Sequence, residues 1–281
     1  MADYTFDYYN VTFPVKYVAH VEISREKALN AFHEAMWLEL RTVFDRLSRD
    51  ADIRSIVLSG AGPRAFTSGL DVKAASENSI TNSDIDESSD PSRIATKNRR
   101  YIDDFQDCIS SIERCEKPVI CVMHGYSFGL AIDIGCATDI RICAEGTKFS
   151  IKEVDIGMAA DIGTLSRLPK IVGNIGWVKE VAYTARIFEP QEALHQGFVS
   201  QVHRTKDDAV KAALELAGLI ATKSPIGVQG TKELLNYSRD HTVAEGLRYT
   251  SVWNSVMLQT EDMAAALLSG IQKRLPRFSK L

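Results

Sequence analysis

Between residues 15 and 59 the apolar pattern changes period twice, and this limits the available folds more than any other feature. Val15, Tyr17, Ala19, Val21 and Ile23 alternate with their neighbours, the period of a half-buried strand. From Lys27 to Leu47 the residues Phe32, Met36, Leu40, Val43, Phe44 and Leu47 recur at helical spacing, which predicts an amphipathic helix with one face to pack on a sheet. Ser55 to Ser59 then reads as a short buried strand ending in Gly60-Ala61-Gly62-Pro63. The strand, helix, strand order predicts α/β layering.

The same alternation continues. Ser76 to Asp90 is acidic, rich in Ser and Asn and nearly free of apolar residues, which predicts a surface loop. Helical spacing resumes with Tyr101, Phe105, Ile109 and Ile112, and Pro118 introduces a buried strand, Val119 to Met123. Gly125 to Gly129 makes a turn, Leu130 to Cys136 starts a helix, and Arg141 to Ala144 and Lys148 to Ile151 read as strands. Beyond about Gly173 helices dominate: Trp177 to Ala185, Pro190 to Gln196, Asp207 to Thr222, Pro225 to Tyr237, and Val243 to Lys273 as one helix or two. The chain thus divides into an α/β core over 1–200, which holds the candidate site, and a helical C-terminal region over 201–281, with no linker and no internal repeat.

Composition narrows the functional classes. With 281 residues, 45% hydrophobic and 25% charged, the chain lies in the ordinary globular range. A net charge of -4 without a basic run disfavours nucleic acid as a partner. No apolar stretch approaches the roughly 20 residues needed to cross a bilayer, so no membrane insertion is expected. Cys108, Cys115, Cys121, Cys136 and Cys143 form no C-x-x-C pair and lack histidines at zinc-site spacing, so buried, reduced thiols are expected. The start, MADYTFDYYN, carries neither the apolar run of a secretory signal nor the Arg-rich character of a transit peptide. At the other end, Ser279, Lys280 and Leu281 spell the tripeptide read by the peroxisomal import receptor, which predicts a peroxisomal location.

Two strand-to-helix loops and a set of acids carry the candidate chemistry. Ala65 to Asp71 and His124 to Leu130 each follow a buried strand and enter a helix. Backbone N–H groups at such a helix start lack partners, and two that converge form an oxyanion hole; the alternative is a pair of plain connections with glycine where the turn needs it. Asp133 and Asp161 lie amid apolar neighbours, and Glu153 and Asp155 follow in I-K-E-V-D. Desolvation brings such acids towards neutral pKa and suits them to proton transfer. The alternative is that they cap helices or pair with Arg141, Arg167 or Lys170, and Asp139, close to Arg141, fits pairing best. The six histidines form no metal or nucleophile pattern, and His124 reads as a structural hydrogen-bonding residue. No P-loop and no G-x-G-x-x-G dinucleotide motif occurs in the sequence.

Taken together, these segments resemble the crotonase, or enoyl-CoA hydratase/isomerase, superfamily. Arg25 to Ala31, Ala65 to Asp71, Lys117 to Ile120, His124-Gly125, Thr138 to Arg141 and Leu168 to Gly173 occur in the family's order, over about residues 10 to 270. The run Lys152 to Leu165 is most similar to the dienoyl-CoA isomerase branch: hydratases have a glycine where Asp161 stands and a second glutamate where Asp133 stands. Thr184 to Arg186, Lys223 to Pro225, Tyr237 to His241, Trp253-Asn254 and Met257 to Thr260 strengthen that likeness.

The resemblance implies a spiral of ββα units with a helical C-terminal region, a homotrimer or dimer of trimers, and an acyl-CoA substrate in unsaturated fatty-acid β-oxidation. It implies no cofactor and no metal beyond the coenzyme A of the substrate itself. Carried over, it makes Asp133, Glu153 and Asp161 the acidic trio and the backbone N–H groups of Leu70 and Leu130 the oxyanion hole. The expected reaction takes 3,5-dienoyl-CoA to 2,4-dienoyl-CoA, with Glu153 as base near C2, Asp161 as acid near C6 (or the reverse), and Asp133 tuning Glu153. A 2-enoyl-CoA hydratase or a 3-enoyl to 2-enoyl isomerase is the alternative within enzymes, and a catalytically weak crotonase-fold scaffold the alternative outside them. One departure stands out: the family commonly has Gly-Gly-Gly where this chain has Gly129-Leu130-Ala131, so the Leu130 side chain is expected to narrow the pocket, or to turn the peptide if that position needs positive φ.

Overall fold

The computed structural model describes residues 4–77, 90–272, 274 and 276–281. Two strands open the chain, β1 (Tyr9–Val15) and β2 (Val18–Ile23), paired antiparallel. The single strand expected over 15–23 is interrupted at Tyr17, whose φ of 65° turns the chain, so Val15 closes β1 and the alternation belongs to β2. Only Tyr9 of β1 is fully buried, which is why its sequence carries no strand period. The following helix, α1 (Glu34–Arg49), buries Met36, Trp37, Leu40, Val43, Phe44 and Leu47. It starts later than Lys27 because Leu29 and Asn30 take left-handed backbone, φ 52° and 55°, which a right-handed helix does not admit.

Next come β3 (Ser55–Gly60), β4 (Ala65–Thr67), α2 (Val72–Glu77), α3 (Pro91–Arg114), β5 (Val119–Met123), β6 (Tyr126–Phe128), α4 (Leu130–Ala137), β7 (Ile140–Ala144) and β8 (Lys148–Ser150). The remainder is α5 (Thr164–Ile171), α6 (Ile175–Thr184), α7 (Pro190–His195), β9 (Gln201–His203), α8 (Lys206–Ala221), α9 (Pro225–Asp240), α10 (Val243–Met257) and α11 (Glu261–Gln272). The predicted loop Ser76 to Asp90 falls largely on 78–89, outside the described residues. Asp90 itself caps α3, its side chain accepting from Ser92 N and Arg93 N.

One sheet runs β1-β2-β3-β5-β7-β9 and a smaller one β4-β6-β8, every pair parallel except β1 with β2. Each pass therefore lays one strand in the large sheet and the next in the small sheet, then returns through helix. The passes β3–β4, β5–β6 and β7–β8 stack as a spiral of ββα units. β4 and β6 had read as loops, since three residues are too few to show a period.

Alternation along the central strands explains the two cores. Ile56, Leu58, Val119, Cys121 and Met123 face the main core with α1 and α3, while Val57, Ile120, Val122 and Ile142 face Ala209, Ala213, Ala217 and Ala221 of α8. Those alanines recur every fourth residue, one helix face, and their small side chains bring α8 close to the sheet. β9 and α8 thus lie past residue 200 yet belong to the sheet layer, and the helices that stand off it begin at α9. All five cysteines are buried and free. None of the described helices is long and apolar enough to cross a membrane.

Candidate active site

Two backbone donors come first. Phe32 bridges Leu70 in parallel fashion: Phe32 N–H donates to Gly69 O (2.9 Å) and Asp71 N–H donates to Phe32 O (2.8 Å). That pairing engages the groups on either side of Leu70 and leaves the Leu70 N–H outside the ladder. Leu130 is the first residue of α4, where no preceding turn offers an acceptor, while the N–H of Gly129 goes to Ser150 O (2.9 Å). A β-carbon on Gly69, at φ 98°, would stand 2.9 Å from Phe128 O and 3.7 Å from Leu130 N, so the two loops abut.

The glycine departure now has a physical answer. Positive φ is required at Gly129 (52°), whereas Leu130 has ordinary helical backbone. The Leu130 side chain is buried in the main core and is not among the residues lining the cavity described below.

The three acids meet beside those donors. Asp133, from α4, is buried, and its Oδ1 accepts from Thr164 N (2.6 Å) and Thr164 Oγ1 (2.7 Å) at the start of α5. The capping alternative is therefore realised here, in a group that also carries charge into the site. Burial pushes the Asp133 carboxyl up to about 6 against the Thr164 hydrogen bonds that favour its charged form. Glu153 opens a 3-10 turn, Glu153–Ile156. Burial, then the charge of Asp133 and more weakly that of Asp161, push it up to about 7. Its Oε2 is buried without a hydrogen-bond partner among the described residues, and its Oε1 would lie 3.2 Å from a β-carbon on Gly129. Asp161 is half-buried, its carboxyl raised by desolvation, and its backbone carbonyl accepts from Gln106 Nε2 (2.5 Å).

The cationic partners that might have silenced these acids are engaged elsewhere. Arg167 holds Glu113 (2.9 Å), Lys170 holds Asp240, and Lys152 holds Asp155 (2.8 Å). The expected pairing of Asp139 with Arg141 does not occur. Asp139 accepts from Lys232 Nζ (2.8 Å) and Val119 N (2.7 Å). Arg141 instead donates to the Gly135 and Thr138 carbonyls at the C-terminus of α4, where its charge meets the negative end of the helix. His124 is buried with Nε2 against Gly62 O (2.9 Å), and burial lowers its pKa to about 4, as befits a structural residue.

A cavity of about 330 Å³ extends from Leu70 to Asp161, lined by Phe32, Trp37, Tyr101, Phe105, Met158 and Ile162 among others. Trp37 stacks on Phe105 at 3.9 Å, giving the cavity a flat aromatic wall. Sequence reading had missed these lining residues because the α1 and α3 aromatics sit in apolar stripes indistinguishable from core. Gln106 was also missed, one position along from Phe105.

Because Asp133 repels a charged Glu153, Asp133→Asn is expected to move the acid limb of the kcat/KM–pH profile to lower pH. The asparagine carbonyl still accepts from Thr164, so the fold should hold; an unmoved limb would remove Asp133 from the role of tuning Glu153.

The chain matches the family model described as enoyl-CoA hydratase/isomerase over residues 15–280. It is 43% identical to the mouse protein named Delta(3,5)-Delta(2,4)-dienoyl-CoA isomerase, mitochondrial, over 100% of this chain and 85% of that one. It is 41% identical to the Arabidopsis thaliana protein of the same name, there called peroxisomal, over 94% of this chain and 93% of that one. The crystal structure of an enoyl-CoA hydratase from Bacillus anthracis superposes with a TM-score of 0.86 at 25% identity, covering 97% and 99% of the two chains.

Proposed function

The chain belongs to the enoyl-CoA hydratase/isomerase family, and within it we propose a dienoyl-CoA isomerase in which Glu153 takes the C2 proton and Asp161 delivers one to C6. Loss of H⁺ from C2 of a 3,5-dienoyl thioester spreads the electron pair over the diene and onto the thioester oxygen. Donors at that oxygen lower the barrier in proportion to the charge that develops there, which is the part assigned to the Leu70 and Leu130 N–H groups. Protonation at C6 completes the shift of both double bonds to 2,4. Protons alone balance the reaction, so the scheme calls for no cofactor or metal.

One observation supports the order of the acids. Glu153 lies against Gly129, next to the Leu130 donor, and C2 is bonded to the carbonyl carbon that the donors hold. Asp161 lines the apolar cavity that leads away from Leu70, along which C6 would lie. The test offers the purified protein 3,5-dienoyl-CoA and 2-enoyl-CoA in parallel. A conjugated 2,4-dienoyl chromophore without water addition is expected; hydration of the 2-enoyl substrate as the faster reaction would overturn the reading.

Two further readings complete the proposal. The apolar side chains Val243, Leu247, Val252 and Val256 of α10 and Leu267 of α11 are exposed in the single chain, a face suited to self-association; elution as a monomer at micromolar concentration would refute the trimer. The terminal Ser279-Lys280-Leu281 is read as a peroxisomal address. In the folded chain Arg54 holds the Phe278 carbonyl (2.7 Å) and the Ser279 carbonyl (3.1 Å), and Lys280 pairs with Asp52. Unchanged location of a fluorescent fusion after removal of the three residues would count against the address.

A further inference from the structure

The oxyanion donor from Leu70 sits on a peptide that the ladder holds at one point, its Gly69 carbonyl, which accepts from Phe32 N–H. The hydroxyl of Thr67 holds the peptide before it. Thr67 is fully buried at the end of β4; its Oγ1 donates to Asn30 O (2.7 Å) and accepts from Gly69 N (3.1 Å). One oxygen thereby joins the Ser68–Gly69 peptide to the left-handed turn at Asn30.

That turn is itself clamped on three sides. Asn30 is fully buried, its Nδ2 donates to Ala61 O (2.9 Å) and Ala65 O (3.0 Å), and its Oδ1 accepts from Arg25 N (2.9 Å). Both amide protons and the carbonyl are therefore engaged with the exit of β3, the start of β4 and the segment before α1. Ser68 N–H adds a bond to Leu29 O (3.0 Å). Thr67 thus holds the Ser68–Gly69 peptide, and Phe32 N–H, donating to Gly69 O, holds the adjoining Gly69–Leu70 peptide.

We propose that Thr67 is a positioning residue for the isomerisation: its hydroxyl, anchored on Asn30, orients the Gly69–Leu70 segment so that the Leu70 N–H points at the thioester oxygen. The assignment rests on the oxyanion-hole reading of Leu70 and extends it to a side chain that touches no substrate. Without the hydroxyl, the Gly69 N–H loses its partner inside the core and the loop relaxes to find another. A donor displaced by such a movement hydrogen-bonds the thioester oxygen more weakly, a loss that grows with the charge on that oxygen, while contacts to the rest of the acyl-CoA keep binding nearly unchanged.

The experiment compares wild type, Thr67→Ser, Thr67→Cys and Thr67→Val by isotope-edited infrared spectroscopy. The probe is hexanoyl-CoA labelled with ¹³C at its thioester carbonyl, bound but unreactive. Wild type is expected to shift the carbonyl stretch to lower frequency than in water. Thr67→Ser keeps most of the shift, Thr67→Cys, with longer and weaker hydrogen bonds, keeps part, and Thr67→Val loses most of it. In turnover, Thr67→Val is expected to lower kcat about 10- to 100-fold with KM within about twofold. Equal carbonyl shifts across the series overturn the role of Thr67 while leaving the oxyanion hole standing. A wild-type shift of zero overturns both. If Thr67→Val does not fold, the comparison of serine with cysteine decides, and equal shifts in those two overturn the proposal.

Discussion

Glu153→Gln is expected to lower kcat for 3,5-dienoyl-CoA isomerisation by about 10³-fold while leaving KM within about threefold. The glutamine keeps the shape of the side chain but cannot accept the C2 proton. At Oε2 the change breaks no existing bond, because that oxygen has no hydrogen-bond partner among the described residues. The pH profile gives a separate reading of the same group. With its carboxyl pushed up to about 7, Glu153 is mainly charged above that pH and mainly protonated below it, so kcat/KM should fall about tenfold per pH unit on the acid side of about 7. Stopped-flow absorbance of the conjugated product from pH 5 to 9 checks both statements. A Glu153→Gln enzyme within tenfold of wild type would remove Glu153 from the proton path.

Much of this site was legible in the sequence, for identifiable reasons. Asp133 and Asp161 declared themselves by company, since a carboxyl among apolar residues needs a partner or a shifted pKa, whereas Glu153 stood out only through the family resemblance; desolvation raises all three. The loops Ala65 to Asp71 and His124 to Leu130 were marked by a buried strand, a glycine and a helix start, but their spacing left plain connections open, and Leu70 and Leu130 were picked out by the family resemblance alone. The fold class followed from the change of period between residues 15 and 59. Element ends were less accessible. The start of α1 depended on the left-handed pair Leu29 and Asn30, and the turn at Tyr17 on a positive φ that its residue type does not advertise.

What stayed hidden is instructive in the same terms. Asp139 was assigned to Arg141 by sequence proximity, yet its partner is Lys232, 93 residues away, because α9 crosses near the start of β7. Trp37 and Phe105 satisfy the helical period of α1 and α3 and are buried in the main core, yet their stacked rings also border a cavity, as most core residues do not. No periodicity argument separates those outcomes, since both bury the same apolar face. Thr67 is a third case: a small polar residue in a three-residue strand has no pattern to stand out from, and its meaning comes only from the two backbone groups it joins.

Asp161→Asn is expected to lower formation of the 2,4-dienoyl product by about 10²- to 10⁴-fold while sparing exchange at C2. The two halves of the reaction use different carboxyls, so removing the second should leave the first intact. With Glu153 and the two backbone donors in place, the C2 proton can still be taken, held as a dienolate and returned to C2. In D₂O the recovered 3,5-dienoyl-CoA should therefore carry deuterium at C2, read by mass spectrometry, with no conjugated diene accumulating. Asparagine preserves the Gln106 contact, which is to the backbone carbonyl of residue 161, so the loop should stay placed. The pattern separates three accounts of the site. Loss of both exchange and isomerisation would mean that Asp161 is the C2 base and the order of the acids is reversed. Full isomerase activity would mean that C6 is protonated by another group, such as a solvent molecule. Exchange without isomerisation is the result that two carboxyls acting at opposite ends of one delocalised carbanion must give.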